Sequence, residues 1–310
     1  MNIHDIAKLA GYSVATVSRV INDRPYVSQA AREAVLKVMR EADYVPNAVA
    51  RDLSAGKTWA IGVVTPMREH PYFTSLTDSI TQAAFAKGYH VVLLPSQYDA
   101  TVELGYLEQL RRKAYDGLIF TSHAMNAEEM VPYLKYAPVV LCHDPGRLAL
   151  PAAFTKRGDT YVAGCRWLKA HGAKRVGLFL PRTPALSATA AAMLTAYETV
   201  FGFTPPKAWL ADDVMSNAAG YQAAAKLAGQ GLDGILTNGD DIAAGAVQYY
   251  RQHHLPCPLL VGQENQLSSR LLNLPTIDHH FHEVGRHALN LAIEAEHGHI
   301  AVPSTFIARG

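Results

Sequence analysis

Two stretches of the chain hold residue types that catalytic or metal sites use. Asp240 and Asp241 are adjacent carboxylates, which general acid-base catalysis could use, and residues 279–282 place three histidines within four positions. The aspartates precede a predicted helix, where N-capping and the helix dipole favour acidic residues. No Cys or carboxylate set at zinc spacing accompanies the histidines. We therefore predict no metal site, no cofactor and no enzyme activity.

A third stretch, residues 13–22, carries side chains suited to contact with DNA. Thr16, Arg19 and Asn22 fall on the outward side of a predicted helix over Val14–Ile21. Hydroxyl, guanidinium and amide groups of this kind hydrogen-bond to phosphates and to base edges. The pattern suits a helix that reads DNA.

Three short predicted helices position that face. A first helix ends at Gly11, whose type tolerates the left-handed turn, Ser13 caps the second, and Ser28 caps a third. This order is typical of a helix-turn-helix DNA reader. Charge adds little, because residues 1–57 hold eight Lys/Arg against six Asp/Glu. A helix-turn-helix that only mediates protein contacts therefore remains open at this point.

After Lys57 the sequence alternates between apolar β-rich runs and helical stretches. This alternation predicts an α/β domain of two lobes, each built on a doubly wound parallel sheet, with a cleft between them. The predicted strands are 59–65, 89–95, 116–121, 138–142, 175–180, 233–238, 258–262 and 303–308.

Candidate ligand-binding residues follow from the ends of these strands. In open α/β sheets ligands bind outside the carboxyl ends of the strands, and two facing lobes bring both sets of ends to one crevice. The candidate cleft residues are Tyr72, Phe73, His123, His143, Arg182, Asp240, Glu264, His279 and Phe281.

Composition indicates an ordinary soluble protein of two or three domains. The chain has 310 residues, of which 49% are hydrophobic and 18% charged. No apolar run approaches the roughly 20 residues that a membrane span needs, and the polar start lacks a signal-peptide core. We expect a cytoplasmic protein that makes no membrane contact. Cys142, Cys165 and Cys257 are predicted to be buried reduced thiols.

Residues 3–22, IHDIAKLAGYSVATVSRVIN, closely resemble the headpiece of the LacI/GalR (lactose-repressor/galactose-repressor) family, and TVSRVIN is highly specific to it. Residues 44–53 are similar to the family's hinge helix, and a looser resemblance continues to the C-terminus. It implies a periplasmic-binding-protein-like fold for the two lobes. The implied domains are a helix-turn-helix at 1–45, a hinge helix and linker at 46–57, and an effector-binding and dimerisation domain at 58–310. Lobe 1 would comprise about 58–157 and 282–298, and lobe 2 about 158–281 and 299–310.

The resemblance also implies roles in binding double-stranded operator DNA. Val14 and Ala15 match the first exposed positions of the recognition helix, and Arg19 matches an arginine that grips guanine. Leu53 matches the leucine that paired hinge helices insert into the minor groove. The implied DNA contacts are Ser13, Val14, Ala15, Thr16, Ser18, Arg19, Asn22, Ser28, Asn47, Ala50 and Leu53.

The cleft departs from the family pattern at several positions. Met193 replaces an arginine that grips sugars in relatives, and His143 and Glu264 replace aspartates. The remaining basic or titratable groups, Arg182, His143 and His279 with Lys156 or Arg157 as further candidates, could accept an anionic group such as a sugar phosphate.

The expected function is that of a homodimeric repressor of carbohydrate-utilisation genes, controlled by a sugar or phosphorylated sugar bound between the lobes. One alternative is a regulator that needs no effector or that a partner protein controls. A solute-binding sugar receptor is a further alternative, which the headpiece disfavours.

Overall fold

The computed structural model describes residues 1–46, 56–66, 70–294 and 298–309, which form two compact units, residues 1–58 and 59–310. The first unit contains helices α1 (Ile3–Ala10), α2 (Val14–Ile21) and α3 (Gln29–Glu41). Each begins at a capping residue: Asn2 caps α1, Ser13 caps α2 and Ser28 caps α3. The predicted three-helix headpiece is confirmed.

A small apolar core joins these helices. Ile6 of α1, Val17 and Val20 of α2, and Val35 of α3 are all buried. Gly11 has φ of 73° at the end of α1, so the turn into α2 uses the left-handed conformation expected for glycine. The buried side of α2 therefore anchors the helix in the headpiece, and this fixes which of its residues face outward.

The second unit contains a six-stranded sheet whose spatial order is β11-β5-β4-β3-β1-β2. All its neighbouring strands pair in parallel. The strands are β1 (Ala60–Thr65), β2 (His90–Pro95), β3 (Gly117–Phe120), β4 (Val139–Leu141), β5 (Ala152–Lys156) and β11 (His299–Pro303). We call the part of the unit built on this sheet the first lobe.

A four-stranded parallel sheet, ordered β7-β6-β8-β9, forms the second lobe. Its strands are β6 (Val176–Phe179), β7 (Leu210–Ala211), β8 (Gly234–Leu236) and β9 (Leu259–Val261). An antiparallel pair, β10 (Thr276–Asp278) with β12 (Thr305–Ile307), accompanies it.

Helices cover both faces of each sheet. Alternate residues of β1 show the arrangement: Ile61 and Val63 lie in one apolar core and Val64 lies in another. The sheets are therefore doubly wound, as predicted. The helices are α4 (Pro71–Ala86), α5 (Ala100–Arg111), a 3₁₀ helix (Ala127–Lys135), α6 (Gly158–Ala170), α7 (Ala188–Phe201), α8 (Asn217–Leu227), α9 (Asp240–Gln252), α10 (Leu267–Leu271) and α11 (Phe281–Glu294); short 3₁₀ turns lie at Lys207–Trp209 and Ala228–Gln230.

Three details of the prediction are corrected. Residues 299–303 were assigned to the second lobe, but β11 pairs with β5 and so completes the first sheet. The predicted strand 303–308 contains β12 and only the last residue of β11, and these two strands belong to different sheets. Cys257 is exposed, because it lies in the polar loop that precedes β9, whereas Cys142 and Cys165 are buried as predicted.

Candidate functional site

The outward face of α2 presents most of the predicted DNA contacts. Ala15 and Arg19 are exposed, and Thr16, Ser18 and Asn22 are half-buried beside them. Within the described residues Arg19 makes no ion pair, so its guanidinium is available to a nucleic acid. Asn22 is fixed in place, because its side-chain amide donates to the Ser18 carbonyl over 2.9 Å.

Three predicted contacts also have local structural roles. Ser13 and Ser28 cap α2 and α3, each accepting from a backbone N–H three residues on over 3.2 Å. Val14 is less exposed than predicted, since it packs partly against the headpiece core. Asn47, Ala50 and Leu53, with most of the predicted hinge, lie outside the described residues.

Three residues that were not among the predicted DNA contacts complete this surface. Arg24, Pro25 and Tyr26 join Ser18, Arg19 and Asn22 around a shallow concavity. Tyr26 is 98% exposed and has φ of 68°, a backbone conformation that is uncommon for an aromatic residue. An exposed ring on strained backbone beside Arg19 is a feature associated with binding surfaces.

A cavity of about 530 Å³ lies between the two lobes. Seven of the nine predicted cleft residues line it: Tyr72, Phe73, His123, His143, Arg182, Glu264 and His279. Residues that follow strands of both sheets therefore meet at one cavity.

The other two predicted residues, Asp240 and Phe281, do not line the cavity. Asp240 is buried and accepts hydrogen bonds from the Thr276 hydroxyl (2.6 Å) and the Gln266 N–H (2.7 Å), which connect α9 to β10 and to the loop after β9. Burial raises the pKa of this carboxyl to about 6. Phe281 packs its ring edge-on against Tyr72, with the ring centres 5.1 Å apart. Both residues therefore stabilise the elements around the cavity without lining it.

Arg157 stands between β5 and α6, at the junction of the two lobes. Its guanidinium lies 5.3 Å from the centre of the Tyr72 ring and donates to the Thr189 hydroxyl over 2.9 Å. Tyr72 comes from the first lobe and Thr189 from the second, so a single cation contacts both walls of the cavity.

His123 and His143 form a coupled pair in the first lobe. Their Nε2 atoms are 2.9 Å apart, and His123 Nδ1 lies 2.7 Å from the Met125 carbonyl oxygen, to which it donates. His123 Nε2 must then accept, and His143 Nε2 donates the shared proton. Burial lowers the pKa of His143 to about 3, with smaller contributions from His123 and Arg157. Both rings are neutral at pH 7.

His279 and Gln263 form a second network on the opposite wall. The Gln263 amide nitrogen donates to the Thr237 carbonyl (2.8 Å), so its oxygen accepts from His279 Nε2 (3.0 Å) and from the Tyr161 hydroxyl (3.1 Å). Burial lowers the pKa of His279 well below its usual value, and the nearby charge of Arg157 lowers it further. His279 is therefore a neutral imidazole with a defined tautomer.

Tyr98 and Arg182 meet across the cavity. Tyr98 follows β2 in the first lobe, Arg182 follows β6 in the second, and the guanidinium carbon lies 4.4 Å from the ring centre. Tyr98 adopts a left-handed φ of 57° to reach this position. We call this contact the Tyr98–Arg182 clasp.

Several cavity residues were not identified from the sequence. His70, Tyr98, Ser187, Asn238 and Gln263 all line the cavity. Asn238 and Gln263 each lie two residues beyond a strand, where the strand-end rule could have found them. His70 gives no such signal, because histidine at a helix N-cap is uncommon.

Comparison with known proteins identifies the family. Residues 58–306 match the family model described as periplasmic binding proteins and sugar binding domain of LacI family. Residues 2–47 match the model described as bacterial regulatory proteins, lacI family. The chain belongs to the LacI family.

Relatives in the LacI family are similar over different lengths of this chain. Catabolite control protein B of Bacillus subtilis is 35% identical over 306 residues, covering 98% of each chain. The sucrose operon repressor of Lactococcus lactis is 34% identical over 182 residues, which are 58% of this chain and 56% of that protein.

The fold agrees with solved structures of LacI-family proteins. A Lac repressor dimer bound to operator and the anti-inducer ONPF superposes with a TM-score of 0.84 at 22% identity, covering 100% of this chain and 98% of that one. The predicted headpiece and two-lobed fold are thereby confirmed. Within the described residues no helix is long and apolar enough to cross a membrane.

Proposed function

We propose that this LacI-family protein is a sequence-specific repressor of carbohydrate-utilisation genes whose operator binding is controlled by a small molecule held between the lobes. One observation carries the proposal: a helix-turn-helix with an exposed Arg19, which no described residue pairs with, shares a chain with a two-walled cavity of about 530 Å³. A related protein is a sucrose operon repressor, which supports a carbohydrate target.

The proposed DNA complex follows from the chemistry of α2. Arg19 is placed to donate two hydrogen bonds to guanine O6 and N7 in the major groove. Thr16, Ser18 and Asn22 are suited to phosphate contacts, which fix the register of the helix. Ala15 lacks a hydrogen-bonding side chain, so base preference depends heavily on Arg19 and on DNA shape.

Two subunits would place two such helices on a pseudo-palindromic operator in the cytoplasm, with residues 46–57 linking headpiece and lobes. A ligand that prefers one arrangement of the lobes would then change operator affinity by about 5- to 150-fold, which corresponds to a typical coupling free energy of about 1 to 3 kcal/mol. The choice of residues lining the cavity favours this small-molecule control over an effector-independent regulator, because buried polar groups in it lack protein partners.

The test is selection of operator sequences from random double-stranded DNA, followed by gel shifts with Arg19→Ala and with Arg40→Ala as a matched control. Arg40 is an exposed arginine in the last turn of α3. We expect Arg19→Ala to weaken specific binding by about 1 to 3 kcal/mol and to relax sequence preference. Arg40→Ala should leave both unchanged. Equal retention of every sequence by the unmodified protein would refute the proposal.

A further inference from the structure

The positive charge of Arg157 is not paired with any carboxylate of the described residues. Among the described residues no carboxylate lies within 4 Å of its guanidinium, which contacts Thr189, Tyr72 and Tyr161. The Glu264 carboxyl interacts with it electrostatically from farther away. Arg157 is half-buried, and a cation partly withdrawn from water without a paired anion is stabilised when an anion joins it.

The amino end of α6 adds a second attraction for negative charge at the same place. Arg157 is the N-cap residue of this helix, and no side chain caps its first turn. Gly158 lines the cavity, and a Cβ built on it would meet open space. Uncapped N–H groups and the helix dipole both favour an anion here. Asp159 in the same turn is exposed and faces Lys156 at 3.8 Å.

His70 supplies a buried donor that has no partner. It is 5% exposed, and its Nδ1 accepts from the Tyr72 N–H over 3.2 Å as the N-cap of α4. Burial, with a smaller effect of Arg157, lowers the pKa of His70 to about 4, so the neutral ring carries its proton on Nε2. Within the described residues that Nε2–H has no acceptor, although His70 lines the cavity.

His279 and His143 supply the opposite function. His279 is 2% exposed, and because its Nε2 donates to Gln263, its Nδ1 is an acceptor that has no donor in the part of the chain that the structure describes. His143 uses Nε2 as a donor to His123, which leaves its Nδ1 as an acceptor as well. Each acceptor fits a ligand hydroxyl.

The two carboxyl groups on the cavity wall do not oppose an anion strongly. Burial raises the pKa of Glu264 well above its usual value, and the nearby Asp240 raises it further, whereas Arg157 acts to lower it; the net shift favours the protonated, neutral carboxyl. Asp144 is exposed to solvent, and its Oδ1 accepts from the Gly146 N–H over 2.8 Å.

We propose that the cleft binds a polyhydroxylated anion, such as a sugar phosphate or a sugar acid. Its phosphate or carboxylate group would accept from Arg157, from the first turn of α6 and from His70 Nε2–H, while its hydroxyls donate to His279 and His143. This inference rests on the proposed function and narrows its effector class. Whether the anionic group is a phosphate or a carboxylate is decided by the experiment below.

The test is calorimetric titration of the full chain with a panel of hexose phosphates, their sugar acids and the parent neutral sugars, represented by glucose 6-phosphate, gluconate and glucose. Inorganic phosphate serves as the minimal anion. We expect at least one polyhydroxylated anion to bind tenfold or more tightly than its neutral parent, in line with charge-assisted hydrogen bonds of about 1.5 to 3 kcal/mol. A preference for glucose 6-phosphate over gluconate assigns the anion as phosphate, and the reverse as carboxylate.

Two variants connect that binding to the named groups. Arg157→Gln should reduce the anion affinity by about tenfold or more, whereas Arg166→Gln, on the exposed face of the same helix α6, should not. His70→Asn keeps an N-cap acceptor for Tyr72 but loses the Nε2 donor, so it should weaken anions and spare neutral sugars. It provides an independent measurement if Arg157→Gln fails to fold.

The inference is overturned if neutral sugars bind as tightly as the anions, or if no anion in the panel shows a dependence on Arg157 or His70. Operator gel shifts on the same preparations keep the two proposals apart. If a neutral sugar alters operator binding, the proposed repressor function stands and the proposal of an anionic effector is refuted. If the unmodified protein binds the anion but shows no specific DNA binding, only the proposed repressor function is refuted.

Discussion

At the scale of single residues, burial holds the cleft histidines in their neutral forms, and this makes the stability of the chain depend on pH. His143 is the clearest case, with its pKa lowered from the usual 6.5 to about 3. Between those values the unfolded chain binds a proton that the folded chain refuses, so stability falls as the pH falls. His70 acts in the same direction down to about pH 4.

Asp240 acts in the opposite direction. Its pKa rises from the usual 3.8 to about 6, so the folded chain binds the extra proton in that range and stability rises as the pH falls. The measured slope of the unmodified protein is therefore a difference between histidine and carboxyl contributions, and only a variant can isolate one of them.

We predict that His143→Gln will flatten the acid loss of stability. Removing the imidazole removes up to about 1.4 kcal/mol of destabilisation for each pH unit below 6.5. Thermal midpoints measured from pH 7 to pH 4.5 should converge for the variant and the unmodified chain as the pH falls. His254→Asn, at an exposed histidine, is the control and should leave the slope unchanged. A parallel pair of curves for His143→Gln would contradict the assignment.

At the scale of elements, the second lobe depends on close contact between α8 and α9. Gly220 and Gly245 allow this, since a Cβ on Gly220 would lie 2.2 Å from the Ile242 carbonyl oxygen and one on Gly245 would lie 2.0 Å from the Asn217 oxygen. Such overlaps with backbone atoms cannot be relieved by a side-chain rotation. The contact fixes α9, whose first turn holds the buried Asp240.

We predict that Gly245→Ala destabilises the chain by about 1 to 3 kcal/mol, because the helices must move apart. Gly105→Ala in α5 is the matched control: a Cβ there meets nothing within 4 Å, so the higher helix propensity of alanine should leave stability unchanged or raise it by up to about 1 kcal/mol. Thermal unfolding of the two variants gives the comparison. Equal effects of both substitutions would show that the helix contact does not limit stability.

The elements that sequence reasoning located and missed differ in a physical way. The headpiece helices carry caps and apolar stripes within their own residues, so Ser13 and Ser28 marked their beginnings correctly. Strand β5 was missed because Ala152 and Ala153 give little intrinsic preference for a strand, and its pairing with β4 and β11 defines it. Pairing between strands that are distant in the sequence cannot be predicted from the local pattern of residues.

The cleft shows the same division. Strand ends predicted seven cavity residues, including His123 and His143 from neighbouring strands of one sheet. Their Nε2 contact and the unpartnered atoms of His70 and His279 depend on side-chain geometry that no spacing encodes. The sequence leaves Lys156 and Arg157 as alternative candidates, and only the three-dimensional arrangement places Arg157 against both Tyr72 and Thr189.

At the scale of the whole molecule, a ligand can control DNA only if the two lobes have more than one arrangement. The Tyr98–Arg182 clasp is a direct contact between the lobes that needs no ligand. A cation-π contact of this kind contributes about 0.5 to 2 kcal/mol, which is comparable to the coupling that allosteric regulators use. We therefore expect the clasp to favour, in the ligand-free protein, the arrangement of the lobes in which Tyr98 and Arg182 are in contact.

We predict that Tyr98→Ala and Arg182→Ala change the operator affinity of the ligand-free chain in the same direction, each by about 2- to 5-fold for a contact of 0.5 to 1 kcal/mol. The double variant should show no more than the larger single effect, because both substitutions remove one shared interaction. Tyr136→Ala is the control, since it removes the Lys135–Tyr136 cation-π contact inside the first lobe. Gel shifts on one selected operator measure all four proteins. Additive effects, or unchanged affinity in both single variants, would mean that closure of the cleft is not linked to DNA binding through the clasp.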